Sequence, residues 1–167
     1  MNTSISQYLK ALPAYNWHSD IVSIRPIVND DDLWYATVEC HLLQEQEDLV
    51  NPAGFSIGRA YLHPEDNVPC IICGKSEQPI GFIIFRRWLG SGDDAFNWSY
   101  YIDKDSQGAG YGRAAAMLAV KILKAVNPDI PIKLSTEVCN LKAQRLYESI
   151  GFVKSDEMDG DDFVFVL

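Results

Sequence analysis

What the chain lacks narrows it first. It contains no run of eighteen apolar residues, so it encodes no helix that could cross a bilayer. Its opening, Met1-Asn-Thr-Ser-Ile-Ser-Gln-Tyr-Leu-Lys10, has neither the basic start nor the apolar centre of a secretory signal. A cytoplasmic protein with no membrane partner is the expectation. Positive charge is scarce: 14 Lys and Arg stand against 23 Asp and Glu, a formal net charge of −9. Nucleic-acid phosphates are held mainly by clustered Lys and Arg, so no nucleic-acid partner is expected. The same acidity suits a cationic small substrate, though it also serves solubility alone. Cysteine is limited to Cys40, Cys70, Cys73 and Cys139. Cys70 and Cys73 have the spacing of a metal or redox pair. They stand in a strand-like stretch, however, where residues three apart point to opposite faces. Without a second pair or a histidine cluster they read as buried structural thiols, as His41 and His63 read as structural residues, and no metal is expected. Internal repeats, low-complexity tracts and domain linkers are absent.

What is present is a globular composition: 47% hydrophobic, 22% charged and 11% aromatic over 167 residues, enough for one full core. Residues 1–19 read as an N-terminal extension laid on the domain, with Tyr8, Leu9, Leu12, Tyr15 and Trp17 as packing points. Residues 20–167 read as the domain itself. A strand over 20–28 precedes a helix over 29–49, opened by capping side chains and carrying apolar residues at 34, 38, 42 and 49. Pro52 ends it, and a short helix follows over 55–62. Strands at 68–73 and 80–89 flank a hairpin connection, and a loop at 90–94 leads to a third strand over 95–102. A long helix spans 112–125, then come a strand over 131–138 and a helix over 140–149 with Gly151 as its terminator. Strands at 152–155 and 162–167, turning at Met158–Asp161, close the chain. The order is β-α-α-β-β-β-α-β-α-β-β, an α/β protein with a mixed, mostly antiparallel sheet flanked by helices.

Two stretches carry chemistry. Tyr100-Tyr-Ile-Asp-Lys-Asp-Ser-Gln-Gly-Ala-Gly-Tyr-Gly-Arg113 runs an aromatic strand into a turn with Gly108, Gly110 and Gly112, which opens an alanine-rich helix. Glycines let a backbone approach a ligand, and the first turn of a helix has N–H groups without intrahelical partners. The turn is therefore either a cradle for a phosphate or pyrophosphate, or a glycine-rich β–α connection with no ligand. Its spacing is neither the dinucleotide fingerprint nor a Walker A loop. In the second stretch, Asn140, Ala143 and Tyr147 fall on one helix face just beyond a strand.

Here the chain resembles the GCN5-related N-acetyltransferase (GNAT) family. Gln107-Gly-Ala-Gly-Tyr-Gly112 matches the family's Gln/Arg-x-x-Gly-x-Gly/Ala signature. Asn140, Ala143, Tyr147, Gly151 and Phe152 match its Asn-x-x-Ala-x-x-x-Tyr-x-x-x-Gly-Phe half. More weakly, the run Tyr100 to Asp103 and the Gln/Glu-rich helix before it look like bacterial spermine/spermidine acetyltransferases. The resemblance implies the acyl-CoA N-acyltransferase fold and acetyl-CoA as the donor. Backbone N–H groups from Gln107 through Gly108, Ala109, Gly110, Tyr111, Gly112 and Arg113 would hold the pyrophosphate, with the Arg113 side chain facing solvent. Main-chain groups of Tyr100 and Ile102 would meet the pantetheine in a gap between strands, with an N–H near Tyr100 or Tyr101 polarising the thioester carbonyl. Asn140 and Ala143 would lie on the far side of that arm.

Tyr147 would protonate or stabilise the departing thiolate, and its alternative role is that of a satisfied core tyrosine. The acceptor amine must lose a proton before attack, because its pKa lies near ~10. Glu137 is the first candidate base, Asp103 another, and Tyr101 and Ser99 could relay. For the acceptor, Glu45, Glu47 and Asp48 are candidates to bind a cation, with Trp34, Tyr35 and Trp88 as aromatic walls. Each could equally be a surface or core residue. The expected activity is direct transfer of acetyl from acetyl-CoA to a primary amine, a polyamine such as spermidine or spermine first. Another amine (aminoglycoside, amino acid or protein N-terminus) and a non-catalytic acyl-CoA sensor are the alternatives. A homodimer is the expected assembly.

Overall fold

Residues 4–89 and 94–167 are described by a computed structural model, and the loop expected at 90–94 falls mostly outside them. Four strands follow one another as an antiparallel sheet: β1 (Ser23–Pro26), β2 (Asn67–Cys73), β3 (Pro79–Leu89) and β4 (Asp94–Ile102). A second antiparallel sheet has the order β5 (Lys133–Thr136), β7 (Asp162–Val166), β6 (Val153–Asp159). One parallel bridge, Phe96 to Ile132, joins the two sheets between β4 and β5. The α/β expectation of a mostly antiparallel sheet with flanking helices is met.

Alternation along the strands sorts the core into two layers. One face of β2 and β3 (Cys70, Ile72, Ile83, Phe85) packs on α4 (Tyr111–Val126) through Ala115, Ala116, Leu118, Ala119, Ile122 and Leu123. The alanines of α4 let its backbone lie close to the sheet. The opposite face (Ile71, Cys73, Phe82, Ile84) packs on α3 (Ala53–Leu62) and on Ala36. Cys70 and Cys73 accordingly point into different layers. The stretch before residue 20 also enters the core. Its helix α1 (Ile5–Ala11) buries Ile5 and Leu9, and Trp17 meets Phe85 edge-on, whereas Tyr15 lies exposed.

The helix expected over 29–49 is corrected. Asn29 does cap α2 (Asp30–Trp34), its side chain accepting from the Asp32 N–H. The chain then makes a π turn over 35–39, turns extended at Cys40, and forms a 3-10 turn over 44–49. The break is anchored from outside. The His41 N–H donates to Asp103 Oδ2 at 2.9 Å and the His41 carbonyl accepts from the Lys104 N–H at 2.8 Å. Tertiary bonds to the end of β4 thus override the helical periodicity. Strand β5 is shorter than expected, and the last hairpin turns more tightly, with Gly160 at φ 61°.

Candidate active site

The cleft begins where β4 and β5 separate. They meet at Phe96 and Ile132, and Asn97 Nδ2 donates to the Lys133 carbonyl at 2.6 Å. Beyond that point Trp98–Ile102 and Ser135–Glu137 diverge and line opposite walls of a cleft of about 780 Å³. In an antiparallel strand the peptide groups face alternate sides. The Asp103 N–H donates to Ile80 on β3, and the Phe96 N–H donates to Pro131 on the β5 side. By that parity the N–H and C=O groups of Trp98, Tyr100 and Ile102 point into the gap, and those of Ser99 and Tyr101 point to β3. Tyr100, rather than Tyr101, therefore presents main-chain groups to the cleft.

At one end of the gap lies the glycine turn. Gly108 and Gly110 hold positive φ, 82° and 85°, and a Cβ added to either would meet only open space. Gly110 is the N-cap of α4, so the N–H groups of Tyr111, Gly112 and Arg113 have no intrahelical acceptor. Such a turn fits an anion lying over residues 108–113. Gly112 is helical, and its carbonyl accepts from the Tyr100 hydroxyl at 2.9 Å, pinning the helix start to β4. The Gln107 N–H donates to Lys104 at 3.4 Å within the preceding 3-10 turn. The Gln107 side chain pairs reciprocally with Gln46 (2.8 and 3.1 Å) and donates to the Ile102 carbonyl at 3.0 Å. It therefore ties together the 44–49 turn, β4 and the glycine turn. Arg113 is exposed and donates to the Ser149 carbonyl at 3.4 Å. Gly108, Gly110, Gly112 and Arg113 line the cleft, and Ala109 and Tyr111 complete the turn.

The opposite wall is α5 (Leu141–Ser149). Asn140 caps it, its Oδ1 accepting from the Ala143 N–H at 3.1 Å, and Asn140, Ala143 and Tyr147 all line the cleft. Tyr147 is buried against Phe152 and Phe165. Burial raises its phenol pKa well above the usual tyrosine range, so it is a proton donor through neutral pH. Tyr100 is raised too, by burial first and then by Tyr147 beside it. Trp98 Nε1 and Thr136 Oγ1 are buried without partners, and both residues line the cleft.

Glu137 lines the cleft at the end of β5 and accepts from Cys139 Sγ at 3.4 Å. That bond is the foremost cause holding the exposed Cys139 thiol above its ordinary pKa, which makes it a poor nucleophile at neutral pH. Asp103 is committed elsewhere: Oδ2 accepts from the His41 N–H and Oδ1 from the Asp105 N–H at 3.0 Å.

The expected acceptor residues scatter. Asp48 lines the cleft and Trp88 lines a chamber beside it, but Glu45, Glu47, Trp34 and Tyr35 line neither. Trp34 is exposed with its indole N–H on Glu39 at 3.1 Å. Tyr35 packs under the sheet against the α3 layer, and burial foremost raises its phenol pKa. Glu45 and Glu47 follow the break at Cys40, which takes them off the line of one continuous helix, whereas Trp34 and Tyr35 precede it, at the end of α2 and the start of the π turn. Arg86 and Asp162, which spacing did not single out, line the cleft instead. Nothing local marks Arg86, because only the β3–β4 pairing sets it opposite Asn97.

A glycine turn at a helix start, facing a strand gap with a capped helix and a buried tyrosine across it, is the layout consistent with an acyl-CoA-dependent acyltransferase. The Acetyltransferase (GNAT) family profile matches residues 30–152, and the chain belongs to that family. Its cofactor is acetyl-CoA. No curated protein sequence matches the chain. Among solved structures, the chain is similar to aminoglycoside acetyltransferase AAC(6')-Ib in complex with ribostamycin and coenzyme A (TM-score 0.69, 21% identity, 88% of this chain and 92% of that one). It is also similar to a spermidine N-acetyltransferase from Vibrio cholerae in complex with CoA and spermine (TM-score 0.62, 17% identity, 87% and 92% covered). A third is the ribosomal-protein-S5-alanine acetyltransferase from Vibrio fischeri (TM-score 0.64, 15% identity, 90% and 94% covered). At these identities the likeness is one of fold.

Proposed function

We propose that the chain is an N-acetyltransferase that acetylates a primary amine of a small molecule by direct attack in a ternary complex. The observation that carries this reading is the placement of buried, protonated Tyr147 in the same cleft as the open glycine turn and the splayed edge of β4. Acetyl-CoA, when bound, would supply an acetyl group activated as a thioester, to be exchanged from sulfur to the amine nitrogen. The N–H groups of residues 108–113 would hold the pyrophosphate, and main-chain groups of Tyr100 and Ile102 would align the pantetheine along β4. A gap-facing N–H of Trp98 or Tyr100 stabilises negative charge on the acetyl oxygen. Tyr147 would give its proton to the departing sulfur and recover one from the nitrogen as the amide forms. Glu137 takes a proton from the acceptor ammonium, directly or through water.

For the acceptor, the extended polyamine has lost most of its expected walls, since only Asp48 and Trp88 of the six candidates reach the cleft or its side chamber. A compact amine, such as an amino sugar or an amino acid, fits this arrangement better. The test is CoA release with amino acids, aminoglycosides, polyamines and peptides. Release with at least one small amine, abolished without it, is expected. Tight acetyl-CoA binding with no release by any amine would make the chain an acyl-CoA sensor.

A further inference from the structure

Arg86 and Arg87 follow each other on β3, and their surroundings differ. Arg87 is held by Asp94, with Nε donating to Oδ1 at 2.6 Å. Arg86 sits across from Asn97 on β4, on the face shared with Phe82 and Ile84 and away from α4. Its Nε is buried with no hydrogen-bond partner, and no ion pair to it occurs among the described residues. Arg86, Asn97 and Ser135 line the cleft and also a side chamber of about 320 Å³, whose other walls include Arg59, Trp88 and Asp159. The chamber therefore gathers Arg59, Arg86 and Arg87 against one lining carboxylate, Asp159, with Arg87 already held by Asp94, in a chain whose net charge is −9. Burial first and then the neighbouring Arg59 lower the Arg86 pKa, against an opposing pull from Asp159, but a guanidinium remains charged at any physiological pH. A partly buried, unpaired guanidinium is a costly thing to leave in a fold and a strong receptor for a planar anion. Glu137 and Asp162 stand on the cleft side of Ser135, and suit an ammonium. Carboxylates so close disfavour a dianionic phosphate.

Resting on the acetyltransferase reading above, we infer that the acceptor is an amino-acid-type molecule. Arg86 takes its carboxylate in the side chamber, and its amine points past Ser135 toward Glu137 and Tyr147. The site discriminates by requiring both charges on one small molecule. Arg86 is then a specificity-determining residue that touches the acceptor and not the donor, since it lies on the sheet face opposite α4.

The experiment measures CoA release for α- and ω-amino acids, their carboxamides, spermidine and an aminoglycoside, using the wild type, Arg86→Gln and Arg86→Lys. The acids are expected to exceed their amides by about 10²-fold in kcat/KM, the loss typical when one partner of a desolvated charge pair is removed. Arg86→Gln should erase that ratio and Arg86→Lys should retain part of it, with the Kd for acetyl-CoA unchanged in both. Equal turnover of acids and amides by the wild type, a preference for spermidine or the aminoglycoside, or an acid-to-amide ratio that survives Arg86→Gln would overturn the proposal and leave the acetyltransferase reading standing. No CoA release with any acceptor would overturn both.

Discussion

Tyr147 is held between Phe152 and Phe165, and that apolar packing keeps the phenol protonated far into the alkaline range. A raised acid pKa means the proton is present below it and lost only above it. The pH profile of kcat should therefore rise once, as the base and amine deprotonate, and show no falling limb below about pH 10. A falling limb in the neutral range would remove Tyr147 from the acid role. Tyr147→Phe should lower kcat by about 10²-fold or more with acetyl-CoA affinity unchanged, read by stopped-assay kinetics and calorimetry. The shared face of Tyr147 and Asn140 was legible from local helical spacing, and their roles were carried by the family resemblance. Arg86 was not, because its importance comes from a missing partner, and a missing partner is a tertiary fact.

At the level of elements, the glycine turn and the 44–49 turn act together. Gly110 is at φ 85° with no neighbour within 4 Å of an added Cβ, so Gly110→Ala should strain the backbone without a clash. A loss of roughly 1 kcal/mol in urea unfolding is expected, together with weaker acetyl-CoA binding. The Gln46–Gln107 amide pair predicts coupling: in a double-alanine cycle the two substitutions should fall short of additivity by about 0.5–1 kcal/mol. Additive losses would mean the pair is not a working link. The glycine spacing foretold the turn and its positive φ at Gly108 and Gly110, since such dihedrals and helix starts leave a local signature. The 29–49 segment misled for the opposite reason. Its apolar positions suit a helix, but bonds from Asp103 and Lys104 hold His41 out of one.

On the scale of the molecule, the two sheets meet at one parallel bridge among the described residues, and residues 5–17 help to close the core through Ile5, Leu9 and Trp17. Leu9 is 2% exposed beneath α4 and the sheet, so Leu9→Ala should destabilise the fold by about 3 kcal/mol in urea melts. A change near zero would show that α1 can detach without consequence.

The donor came from the resemblance to a family; by itself the sequence determined the α/β order, the glycine turn and the capped helix after β5. Each is written in short-range chemistry: periodicity, capping and the special dihedrals of glycine. Only the tertiary structure decided which side chains share the acceptor end of the cleft. Trp34, Tyr35, Glu45 and Glu47 line neither cavity, Asp48 and Trp88 line one each, and Arg86, Ser135 and Asp162 come in from three different strands. Long-range strand pairing sets that neighbourhood, and no local pattern of residues encodes it.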